Sequence, residues 1–228
     1  MPLPSGLPET PVKPARVVYL HGFASSSQST KGGYLADRLG EYGIALECPD
    51  FNEPDFATLT LTRMLDQLRT SLASGGEGRA TLIGSSLGGT LAILAAEKFR
   101  PRVDRLVLLA PAVMFAKPGH HLLPPERIEE WRRRGALPFF HHAHGEERLL
   151  NVAFYEDSLE YDAFNATIAQ PTLIFQGLCD ASVDYRTVEA FARTRPNVTL
   201  SLLDDDHQLI ASLPRIWEGI EGFLELTE

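Results

Sequence analysis

The segment Gly84-Ser85-Ser86-Leu87-Gly88-Gly89 follows a short apolar run, Leu82-Ile83, and opens an apolar stretch from Leu91 to Phe99. A serine lifted on such a strand-to-helix turn can serve as a nucleophile, and the sharpness of the turn demands small residues two positions away on either side. Ser86 meets that demand with Gly84 and Gly88, whereas Ser85 stands between Ile83 and Leu87. Ser86 is therefore the candidate nucleophile. A phosphate-binding loop is the rival chemistry for a glycine-rich turn, and this one lacks both the P-loop lysine and a spaced GxGxxG.

A serine hydroxyl attacks an acyl carbon only when a base takes its proton, and behind a G-x-S-x-G turn the acid and then the histidine follow along the chain. Only His207 lies late enough, in Leu203-Asp204-Asp205-Asp206-His207-Gln208. For the acid, Gln176-Gly177-Leu178-Cys179-Asp180 sets a carboxylate just beyond an apolar run, while Asp184 is better placed to cap a helix beginning near Tyr185. The oxyanion formed on attack needs preorganised N–H donors. Leu87, directly after the nucleophile, supplies one, and Phe23 in His21-Gly22-Phe23 supplies the second. His21 itself reads as structural, fixing that loop through a ring hydrogen bond.

These residues need elements to hold them. Val17 to Leu20, Leu82-Ile83, Leu106 to Leu109 and Thr172 to Phe175 are short apolar runs closed by turn residues, as strands buried on both faces read, and Val198 to Leu203 alternates like a strand nearer an edge. Between them Leu61, Met64, Leu65, Leu68 and Leu72 recur at helical spacing, as do Leu213, Ile216, Trp217, Ile220, Phe223 and Leu224. The alternation implies an α/β domain over residues 17–228, with a mainly parallel sheet flanked by helices on both faces. The proline-rich stretch 1–16 reads as a flexible arm. Residues 112–170 break the alternation and read as a cap insertion. Its aromatics, Trp131 and Phe140 among them, either line a substrate pocket or form the cap's own core.

Composition narrows the function classes. Thirty acidic against twenty-one basic residues give a formal charge of −9, which opposes nucleic-acid or anionic-lipid binding. Two cysteines without CxxC spacing point to unpaired thiols in a reducing, cytoplasmic setting, and there is no apolar run long enough to span a membrane. His120-His121 and His141-His142-Ala143-His144 lack the helical pairing or cysteine partners of a metal site, so no metal is expected.

His21-Gly22-Phe23, Gly84 to Gly89, Gly177 to Val183 and Asp206-His207 together resemble the α/β-hydrolase superfamily, over residues 17–226. His-Gly-Phe followed by Ala24-Ser25-Ser26-Ser27 is most similar to small bacterial esterases of the YqiA type. Glu130 to Gly135 and Asn151 to Tyr155 also resemble parts of depalmitoylase-like acyl-protein thioesterases. Asp184 departs from the pattern, standing where many α/β-hydrolases have proline. The resemblance implies hydrolysis of an ester of short to medium acyl chain, or of a thioester, through an acyl-enzyme and with no cofactor. A hydrolase fold degenerated into a binding module is the non-enzymatic alternative, and it usually lacks a triad member.

Overall fold

A computed structural model describes residues 14, 16–76 and 78–226 of the chain. Most of the arm expected over 1–16 thus lies outside the described residues. In chain order the elements are β1 (Val17–Leu20), α1 (Thr30–Gly40), β2 (Leu46–Glu47), α2 (Leu61–Ser74), β3 (Ala80–Ser85), α3 (Leu87–Lys98) and β4 (Val103–Leu109). Then come α4 (Pro125–Arg134), β5 (Ala136–His141), β6 (Glu146–Asn151) and α5 (Ala153–Ser158). The chain ends with β7 (Thr172–Gly177), α6 (Tyr185–Arg193), β8 (Val198–Leu203) and α7 (Leu213–Phe223).

Six strands form one sheet in the order β2-β1-β3-β4-β7-β8, with every neighbouring pair parallel. Period-two alternation sends Val18, Leu20, Leu82, Leu106, Leu108 and Ile174 to one face, where α2 and α3 cover them. Val17, Tyr19, Ile83, Val107, Leu109, Leu173 and Phe175 face the other way, against Leu35 and Leu39 of α1 and Ile216, Trp217 and Ile220 of α7. Helices on both faces explain why β1, β3 and β7 are buried at every residue. β8 stands at the sheet edge, as its alternation suggests.

Local chemistry sets the helix starts. Thr60 caps α2 by accepting the Arg63 N–H at 3.0 Å, and Asp184 caps α6 by accepting the Arg186 N–H at 2.9 Å, the role its position suggests. α3 is buried over Leu87 to Ala96 because it is apolar on every side, which places it in the middle of the molecule behind Ser86.

Between β4 and β7, within the stretch expected to be a cap, the chain forms α4, an antiparallel β5-β6 hairpin, and α5. Gly135, at φ +78, turns the chain between α4 and β5. Trp131, Leu137, Leu150 and Phe154 of the cap belong to the same apolar cluster as α2 and α3, so cap and body share a core.

Candidate active site

The loops after β1, β3, β7 and β8 all leave the carboxyl edge of one parallel sheet, so residues far apart in sequence meet there. Ser86 sits at the sharp turn between β3 and α3 with φ 54 and ψ −114, a conformation that costs on the order of 1–3 kcal/mol for a non-glycine residue. The surroundings over-determine it. Its N–H donates to the Leu109 carbonyl at 2.9 Å, and its carbonyl accepts from the N–H groups of Gly89, Thr90 and Ala112. A Cβ on Gly88 would lie 1.9 Å from the Leu20 carbonyl oxygen, and one on Gly84 would lie 2.3 Å from that of Gly88. Ser85 is buried, whereas Ser86 opens into a cleft.

His207 follows β8 and turns its ring toward the elbow. Its Nε2 lies 3.0 Å from Ser86 Oγ and its Nδ1 2.8 Å from Asp180 Oδ2. The Asp180 carboxylate selects the tautomer with the proton on Nδ1, which leaves the Nε2 lone pair to accept from the serine hydroxyl. The approach of these loops needs Gly177, where a Cβ would meet the Asp205 carbonyl oxygen at 2.4 Å. Cys179 N–H to Asp205 O, 3.0 Å, ties the loops together.

The Asp180 side chain has no solvent exposure. Burial alone raises its pKa, but hydrogen bonds from His207, from the Val183 N–H and from Gln176 Nε2 outweigh it and hold the carboxyl below its ordinary value. Oδ1 also accepts the Ser182 N–H at 2.8 Å. Gln176, wholly buried and 2.8 Å from Oδ2, is a support that spacing alone did not flag, because a glutamine at the end of an apolar strand reads as a polar stop.

Phe23 and Leu87 line the same cleft as Ser86, and among the described residues neither N–H has a protein acceptor. The Leu87 N–H is the first of α3, one of the donors that a helix leaves free at its start. His21 is buried, its Nδ1–H donating to the Gly22 carbonyl at 2.9 Å while Nε2 accepts the Phe51 N–H at 3.0 Å. Both nitrogens are thereby used in holding the loop that carries Phe23.

The cleft has a volume of about 360 Å³. Phe23, Met114, Phe115, Leu122 and Val183 give it apolar walls, and His120, His121, Ser182 and Thr187 lie along it. The expected pocket residues are elsewhere. Trp131 is fully buried in the cap, donating from Nε1 to the Leu150 carbonyl at 2.8 Å and packing on Phe139. Phe140 is 53% exposed, because alternation along β5 turns Leu137 and His141 inward and Phe140 out. Cap residues reach the cleft only where the insert leaves β4, from Ala112 to Leu122.

The model of the uncharacterised protein family UPF0227 matches residues 16–223. The chain belongs to this family. Beyond UPF0227, the chain is 32% identical over 106 residues to the biotin biosynthesis bifunctional protein BioHC of Teredinibacter turnerae, a match spanning 44% of this chain and 18% of that protein. Est1E of Butyrivibrio proteoclasticus, in a structure with ferulic acid, superposes with a TM-score of 0.79 at 22% identity, covering 96% of this chain and 92% of the other. Alpha/beta hydrolase domain-containing protein 10 from mouse superposes with a TM-score of 0.74 at 20% identity, covering 92% and 90%. At these identities the likeness establishes the α/β-hydrolase fold. No helix among the described residues is long and apolar enough to cross a membrane.

Proposed function

We propose that the protein is a serine hydrolase that cleaves carboxylic esters of short to medium acyl chain through an acyl-enzyme. The observation that carries this reading is the hydrogen-bonded line Ser86, His207, Asp180 opening on an apolar cleft, with links of 3.0 and 2.8 Å. Ser86 Oγ attacks the substrate carbonyl carbon as His207 Nε2 takes its proton, and the buried Asp180 carboxylate stabilises the imidazolium that results. The N–H groups of Phe23 and Leu87 receive the oxyanion. Collapse breaks the bond to the leaving oxygen, which His207 protonates. Water then repeats the sequence, giving up its proton to His207 and releasing the carboxylic acid and free Ser86.

The likeness to Est1E, solved with ferulic acid, a carboxylic acid of the kind ester hydrolysis releases, supports ester chemistry on this scaffold. A thioester would follow the same steps with sulfur as leaving atom. Cys48 and Cys179 are unpaired, which supports action in the cytoplasm, and a cleft of about 360 Å³ suits a small-molecule substrate.

A fluorophosphonate probe tests the nucleophile, and a panel of p-nitrophenyl esters of increasing chain length beside an acyl thioester tests the substrate class. Labelling at Ser86 that vanishes in Ser86→Ala, with turnover of the shorter esters, is the expected result. A folded protein that neither labels nor turns over any member of the panel would favour a binding module on a hydrolase fold.

A further inference from the structure

Lys31 occupies a place that disfavours a cation twice over. It is the second residue of α1, where the helix start already carries positive partial charge, and it is only 8% exposed. Its ammonium crosses to the base loop, donating to the Gln208 carbonyl at 2.9 Å, one residue beyond His207. The charged groups facing it are Asp206 and Asp205 from the loop after β8 and Asp180 from the loop after β7. Burial draws Lys31 below the ordinary lysine value while these carboxylates pull the other way.

We propose that Lys31 is a positioning residue for His207: it ties the base loop to α1 and sets a positive charge behind the Asp180–His207 pair, keeping the ring aligned on Ser86 and neutral at lower pH. This rests on the reading of Ser86 as nucleophile and His207 as base. The His207 ring donates a hydrogen bond to Asp180 and sits in a loop that also carries Asp204, Asp205 and Asp206, and negative charge around an imidazole favours its protonated form. A protonated ring cannot take the serine proton. A buried cation behind the pair opposes that bias, and its tether limits where the backbone after His207 can move.

The test is the pH dependence of kcat/KM from pH 5 to 9 for wild type, Lys31→Met, Lys31→Gln and Lys31→Arg on p-nitrophenyl acetate, with a melting curve for each. Removing the charge should move the rising limb upward by about half a pH unit or more in both Met and Gln variants. Lys31→Met should also lower the plateau about tenfold, and Lys31→Gln, which keeps an amide donor, less; Lys31→Arg should leave the limb within about 0.2 units of wild type. Folded Met and Gln variants with the wild-type limb would overturn the proposal, as would failure of both to fold, which would make the lysine structural. A Ser86→Ala protein as active as wild type would instead overturn the hydrolase reading, and this proposal with it.

Discussion

The sheet edge and the cap place residues around one cleft by different means. At the edge, Ser86, Asp180, His207 and Phe23 each sit just beyond the end of a strand, so the register of a parallel sheet fixes where they meet. In the cap, a side chain's position depends on how the insert packs on itself, and the bulkiest ring, Trp131, goes to the centre of that packing. Aromatic content therefore marks the core of an insertion, while proximity to a strand end marks a site. Met114 and Phe115 reach the cleft because they follow β4 closely, not because of where they lie in the cap.

The largest expected effects lie at the edge. Ser86→Ala should lower kcat on a p-nitrophenyl ester by at least ~10⁴-fold, and His207→Ala by a similar amount, since nucleophile and base act as a unit. Both should melt near the wild-type temperature. Ser85→Ala, one position away but buried, should keep most of the activity; equal losses in the two serine variants would undo the choice of nucleophile. Asp180→Asn should follow, with turnover down by up to ~10⁴-fold, because an amide in place of the carboxylate favours the wrong ring tautomer. If Asp184→Asn were the more damaging change, the acid would have to be reassigned.

Much of this was legible in the sequence, for a physical reason. Strands covered on both faces are continuous apolar runs, and Val17 to Leu20 and Thr172 to Phe175 stand out as such. The loops after them were then constrained by spacing to glycine, serine, acid and histidine. β2 escaped notice because Leu46–Glu47 is too short to show a period. α1 escaped because its buried face includes Lys31 and Gly32 beside Leu35 and Leu39, so the apolar stripe is half missing. The hairpin strand β5 hides its alternation by turning a histidine, His141, inward.

The comparison sharpens at intermediate effect size. Trp131→Ala should remove about 3–5 kcal/mol of stability, roughly 8–15 °C in Tm, because it opens a cavity and leaves the Leu150 carbonyl without its donor. The order of preference among ester chain lengths should not change. Phe115→Ala and Met114→Ala should do the reverse, altering kcat/KM by up to ~4-fold for each CH₂ that enters the enlarged cleft while moving Tm much less. A Trp131→Ala protein with reordered preference and unchanged melting would collapse the distinction between cap core and cleft wall.

The last expected effect is a pH dependence that starts in the cap. His141 is fully buried, both ring nitrogens lack a hydrogen-bond partner among the described residues, and its ring packs on Phe56 and His144. Burial, reinforced by His144 and Arg148, draws its pKa from 6.5 to about 4. The unfolded chain therefore takes up this proton near pH 6.5 and the folded one only near 4, so stability falls as pH drops through that window, with a slope of at most ~1.4 kcal/mol per unit. Asp180 adds nothing there: its carboxyl is held below 3.8, so its contribution is lost only at still lower pH. The hairpin carrying His141 braces the loop after β1, through His142 N–H to Ala24 O at 2.8 Å and Phe139 edge-on to Phe23. Acidification from pH 7 to 5 should thus lower the protection factors of the β5 and β6 amides, each measured against the intrinsic exchange rate at that pH, and leave those of β3 and β4 unchanged. His141→Phe, which cannot take up a proton, should flatten the dependence of Tm on pH across that window. The same slope in wild type and variant would place the titrating group elsewhere and leave the cap no less stable in acid than the sheet it covers.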